Sequence, residues 1–159
     1  MSEQVSDGSA KADKEPTSGA SLDPGVPRMT AKVLRQCCKQ NRGFEAPDLN
    51  DMLALHYKGF RCIENLGAYT QVRSLFLECN GIAKIENLEV MPHLVSLYLQ
   101  SNCIRQIENL DGLHSLQLLD LSNNAITRVE NLGGLKSLET IKLGANKIDD
   151  VFGLQGLAE

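Results

Sequence analysis

The sequence has no tryptophan and only seven other aromatic residues, four phenylalanines and three tyrosines. A core without aromatic bulk has to be built from leucine, isoleucine and valine. That favours regular layers of similar side chains, and so a repeating architecture. Positive charge is not in excess either: 16 lysines and arginines stand against 20 aspartates and glutamates, a formal net charge of −4, and the cations are scattered. Phosphate binding by counterion release needs clustered lysine and arginine, so no nucleic-acid partner is expected. No apolar run approaches the roughly 18 residues that cross a bilayer, and the opening MSEQVSDGSA has neither a secretory apolar region nor a myristoylation glycine. The expectation is a soluble, intracellular protein with no membrane partner. Cysteines spaced C-x-x-C are missing as well. The five present, Cys37, Cys38, Cys62, Cys79 and Cys103, are odd in number and read as reduced thiols, with neither a disulfide framework nor a zinc site.

The signatures of catalysis are also lacking. His56, His93 and His114 fall in no H-E-x-x-H arrangement and read as surface residues, and neither a phosphate-cradling glycine loop nor a G-x-S-x-G elbow occurs. Glu64, Glu86, Glu108 and Glu130 form a carboxylate column, but their constant spacing of 22 residues marks one position on successive turns of a repeat, a solvated edge rather than a calcium or general-acid site. No enzyme, cofactor, metal or small-molecule substrate is expected.

Residues 1–28 hold three of the five prolines and no isoleucine, phenylalanine or tyrosine. Such a segment cannot bury enough apolar surface to offset chain entropy, and it reads as a disordered tail. The text changes at Met29. Thr30 can cap a short helix AKVLRQCCKQN that places Val33, Leu34, Cys37 and Cys38 on one face, with Gly43 as its stop. Residues 29–52 therefore read as an N-terminal helical cap, the cover that the first turn of a stacked array requires.

From residue 72 the chain is four consecutive 22-residue repeats, 72–93, 94–115, 116–137 and 138–159. Positions 1, 4, 6, 11, 14, 17 and 20 are apolar in every one, as in Leu94, Leu97, Leu99, Ile104, Ile107, Leu110 and Leu113, giving 28 matches in 28 places. A degenerate repeat, 53–71, precedes them: Leu53, Leu55, Phe60, Ile63 and Leu66 share the lattice, although Lys58 stands where the others have asparagine. The L-x-L alternation predicts a short strand with leucines inward. Asn80, Asn102, Asn124 and Asn146 follow each strand, and their short amide side chains can satisfy peptide groups of a buried turn, which predicts a structural ladder. The remainder of each repeat is too short for a long helix and predicts a 3₁₀ or single-turn side. The expected fold is an α/β solenoid: a right-handed array with short parallel strands on a concave face and 3₁₀ or short helical segments on the convex one. Leu157, Ala158 and Glu159 finish on the last repeat position, so the expectation is an array truncated at its C-terminal end.

Outward strand positions form three columns: Ser74, Ser96, Leu118 and Thr140; Phe76, Tyr98, Asp120 and Lys142; and His56, Glu78, Gln100, Ser122 and Gly144. Phe76 and Tyr98, two of the few aromatics, are neighbours there, with Leu118 beside them. Exposed aromatics flanked by polar groups are the usual composition of a protein-binding hot spot. Phe76, Tyr98, Leu118, Asp120, Lys142, Glu78 and Gln100 are therefore the candidate binding residues, Asp120 and Lys142 setting orientation more than affinity.

The pattern L-x-x-L-x-L-x-x-N-x-I with recurring I-E-N-L (63–66, 85–88, 107–110, and V-E-N-L at 129–132) resembles the 22-residue subclass of leucine-rich repeats. Upstream, Met29-Thr30, Leu34, Cys38-Lys39-Gln40, Pro47, Leu49-Asn50-Asp51, Leu55-His56 and Lys58-Gly59-Phe60 look like the start of the dynein axonemal assembly factor 1 family. The resemblance implies a cytoplasmic, cilium- or flagellum-associated scaffold for preassembly of dynein arms, whose partners are axonemal dynein subunits, chaperones and other assembly factors. The alternatives within the same repeat subclass are a regulatory subunit of a type 1 protein phosphatase and a structural axonemal component. On this resemblance the tail 1–28 is expected to lie outside what the family shares, and the given sequence is expected to stop short of the family's long region beyond the repeats.

Overall fold

A computed structural model of the chain describes residues 25–149. The tail expected over 1–28 lies outside the described residues as far as position 24, as does the close of the fourth repeat, 150–159.

Five three-residue strands, β1 (Met52–Ala54), β2 (Ser74–Phe76), β3 (Ser96–Tyr98), β4 (Leu118–Asp120) and β5 (Thr140–Lys142), form one parallel sheet in chain order. Every pairing joins residues 22 apart, Leu53 with Leu75, Leu75 with Leu97, Leu97 with Leu119, Leu119 with Ile141. The register follows from the lattice. A slip of one residue would turn each inward leucine to the outside. The degenerate repeat makes a full coil: Leu53, Leu55, Phe60, Ile63 and Leu66 are all buried in the core shared with the regular repeats.

The side opposite the sheet is built from tight turns. In each of the first four coils two i→i+3 backbone bonds follow one another, as from Leu113 N to Leu110 O and from Leu116 N to Leu113 O, 2.9 and 3.0 Å. This is the 3₁₀ bond pattern without a run long enough to be a helix. Among the described residues the only 3₁₀ element is Pro47–Leu49, in the N-terminal segment.

The helix α1 spans Ala31–Gln40, with the Thr30 hydroxyl accepting from Val33 N. Its buried face carries Leu34, Cys37 and Cys38, and Val33 packs at the margin of the core. All five cysteines are free, and burial pushes the Cys37 thiol above its ordinary pKa. The helix ends differently from expectation. Arg42, not Gly43, takes the left-handed conformation (φ 60°), and the Gly43 N–H returns to Cys38 O at 2.8 Å. Gly43 serves another need: a Cβ there would stand 2.5 Å from Asn50 Oδ1. That buried asparagine ties the following loop, accepting from Phe44 N and donating to Phe44 O and Ala46 O.

Candidate functional site

The pleat sends alternate strand residues to opposite sides. The inward leucines of β1 to β4, and Leu55, Leu77, Leu99 and Leu121 just after those strands, are buried, Ile141 and Leu143 of the last coil are half-buried, and the outward positions assemble three columns across the strands. In-register pairing puts Met52 at the head of the first column, before Ser74, Ser96, Leu118 and Thr140, and Ala54 at the head of the second, before Phe76, Tyr98, Asp120 and Lys142. His56, Glu78, Gln100, Ser122 and Gly144 continue the third, held by backbone bonds such as Tyr57 N to Glu78 O and Cys79 N to Gln100 O.

Phe76 and Tyr98 stack face to face, ring centroids 4.7 Å apart and planes within 4°. The separation is close to the spacing of neighbouring strands, so the register itself sets the stack. Because each ring covers part of the other, both are half-buried rather than fully exposed, as is Leu118. Asp120 departs from its expected outward role. It is only 7% exposed, accepts from Ser122 N at 3.1 Å and pairs with Lys142 Nζ at 3.3 Å. The carboxylate is occupied within the sheet, whereas Lys142 remains exposed beside it. In the third column His56 Nδ1 lies 3.6 Å from Glu78 Oε1.

The turn asparagines hold the coils together in one repeated geometry. Asn102 donates to Leu77 O of the preceding coil and to Leu99 O of its own, both at 3.0 Å, and its Oδ1 accepts from Ile82 N. Asn80, Asn124 and Asn146 repeat the arrangement, and at the first coil Asn80 Oδ1 accepts from both Lys58 N and Phe60 N. They are half-buried, not fully enclosed.

A second asparagine column escaped the reading of the sequence. Asn65, Asn87, Asn109 and Asn131, the asparagines of I-E-N-L, all have φ between 57° and 60°. Asn87, Asn109 and Asn131 donate to Ile63 O, Ile85 O and Ile107 O of the preceding coil at 2.6–2.7 Å. Asn65 has no coil before it and donates to Met29 O instead. The signal was available: asparagine is among the few non-glycine residues at ease in that backbone region, and it recurs at a fixed spacing. A further left-handed column, Tyr57, Cys79, Ser101, Asn123 and Ala145, carries five different residue types and had no such signal.

Comparison with known proteins agrees with this geometry. The Leucine rich repeat family matches residues 70–126, and a second family, Leucine Rich repeats (2 copies), matches 114–157. The chain is a leucine-rich-repeat protein. This leucine-rich-repeat chain is similar in structure to an internalin of Listeria monocytogenes (27% identity, TM-score 0.63, 71% of this chain and 34% of that one). It is likewise similar to the Drosophila melanogaster SNF/U2A′ complex (28% identity, TM-score 0.63, 76% and 70%). Among curated proteins it is 54% identical over 56 residues to the Dynein axonemal assembly factor 1 homolog of Drosophila erecta. To Dynein axonemal assembly factor 1 of Rattus norvegicus it is 51% identical over 55 residues. Each match covers 35% of this chain, and only 4% and 9% of those two longer relatives.

Proposed function

We propose that the chain is a non-catalytic, protein-binding scaffold for the assembly of axonemal dyneins, acting in the cytoplasm in support of cilia or flagella. The observation that carries this reading is the identity of 51–54% to proteins named dynein axonemal assembly factor 1 over 55–56 residues. The outward sheet face supports it physically. Solenoids bind through the extended surface their strands create, and here that surface holds a stacked aromatic pair with polar groups on both flanks. Its partners are dynein subunits, the chaperones that fold them, or other assembly factors.

The test is affinity capture from the soluble cytoplasm of ciliated cells, comparing the chain with its Phe76→Ala/Tyr98→Ala double variant. Loss of two hot-spot residues costs about 2 kcal/mol or more of binding, so recovery of dynein chains should fall at least about thirtyfold. Recovery of a phosphatase catalytic subunit in place of dynein chains would replace this reading with a phosphatase-regulatory one. Retention only on isolated axonemes would replace it with a structural role.

A further inference from the structure

Among the described residues, three buried side-chain atoms lack a hydrogen-bond partner, His56 Nδ1, Glu78 Oε2 and Gln100 Oε1, one per coil along the third column. They are closed off by the chain itself, out of reach of a docked group. Asp120 is likewise occupied, by Ser122 N and Lys142. What the first two coils offer a partner is therefore shape and apolar surface. Phe76 and Tyr98 stack with centroids 4.7 Å apart, so Phe76 turns its second face away from Tyr98 and towards β1. The residue in register there is Ala54. A methyl group stands where continuation of the stack would need a ring.

The surface rises around that methyl group. Met52 and His56, two residues before and after it on the same side of the strand, carry much longer side chains, and Met52 is 48% exposed where Ala54 is 9% exposed. Away from Phe76 the ground stays open: Met52, Ala54 and Phe44 help to line a cavity of about 110 Å³ between β1 and the exit from α1. Ala54 is thus the floor of a recess that has Phe76 for one wall. Phe44, Leu49 and Met52, three of the four exposed large apolar side chains among the described residues, all belong to the segment that leads into β1.

We propose that this recess receives an aromatic side chain of the bound partner, which stands over Ala54 and extends the Phe76–Tyr98 stack to three rings. The proposal rests on the docking face described above and names the side chain it selects. Neighbouring strands lie about 4.8 Å apart, within the range at which aromatic rings stack, so a ring one strand further on meets Phe76 as Tyr98 does from the other side. An aliphatic side chain would cover the same area but gain nothing from the ring face. A cationic one would find Glu78 Oε2 closed off and leave its charge without a partner.

The experiment is a synthetic array of randomised peptides whose central position is fixed as phenylalanine, tyrosine, leucine or arginine, probed with the whole chain and its variants. The expected result is retention favouring phenylalanine and tyrosine over leucine by about threefold to tenfold, the scale of one stacked aromatic pair beyond its buried area. That preference should disappear in Phe76→Leu, which keeps apolar area and removes the ring. It should also disappear in Ala54→Phe, whose own ring fills the recess without lowering the melting temperature. If peptides are retained through Phe76 and Tyr98 but leucine or arginine does as well as the aromatics, or the preference survives either variant, the ring site is wrong and the docking face stands. An Ala54→Phe chain that melts below the native one would mean that no ring fits over Ala54, which also overturns the proposal. Retention that ignores the Phe76→Ala/Tyr98→Ala variant, or no retention at all, removes the docking face and the ring site with it.

Discussion

Asn102 and Asn109 lie seven residues apart in one coil and bind the coil before it by different means. Asn102 keeps an interior peptide group satisfied: without it the N–H of buried Ile82 has no acceptor. Asn102→Ala should cost about 1 to 3 kcal/mol, the penalty of one orphaned buried donor, read as a shift in the urea unfolding midpoint. Asn109 holds a left-handed backbone (φ 59°) and a single bond, to Ile85 O. Asn109→Gly keeps that backbone and should cost about 1 kcal/mol or less. Asn109→Ala adds the left-handed penalty and should cost about 1 to 2 kcal/mol more than glycine. Equal midpoints for the two would show that backbone conformation is not what selects asparagine there. The first of these roles can be read from sequence because asparagine after L-x-L sits where a buried turn needs both a donor and an acceptor. The second hides in I-E-N-L, where apolar spacing alone does not reveal a backbone angle.

At the scale of the element, the segment preceding α1 stands in for a missing coil. Met29 O accepts from Asn65 as Ile63 O does from Asn87, and Arg28 pairs with Glu64. That pairing, opposed by partial burial, holds the Glu64 carboxyl below its ordinary value of 4.5. The folded state then binds this proton less readily than the unfolded chain, so the pair stabilises fully above the ordinary value and its contribution is lost as pH falls through the depressed one. Melting temperatures of the native chain and Glu64→Gln should differ by a constant, modest amount from neutral pH down to about 4.5 and converge below it. A gap that persists in acid would assign the effect to packing. The helix itself was legible from Thr30 and four apolar positions, but its end was not. Gly43 looks like a helix stop in one dimension, and only the loop folding back through Asn50 shows that the glycine makes room for an amide.

For the whole molecule, legibility divides along the pleat. Inward positions repeat without exception, so strand order, register and core follow from counting. Outward positions share no period, and their chemistry appears only when the coils are stacked: the aromatic stack and the row of unpaired polar atoms are properties of neighbours 22 residues apart. Each coil touches chiefly the coils beside it, so stability is close to a sum over coils and their interfaces. Deleting residues 94–115 should therefore leave a shorter array that still unfolds cooperatively at a lower temperature. Phe76 would then lie beside Asp120 in place of Tyr98, and partner capture should fall as it does in the Phe76→Ala/Tyr98→Ala variant. An unfolded product would mean that the coils are not interchangeable.

The uniform register also bears on how such a chain changes over generations. Loss or duplication of one repeat length of coding sequence rejoins the interior without a seam, while the outer surface is reshuffled in a single step. A new specificity can arise here by rearranging whole coils, with no core to rebuild around it.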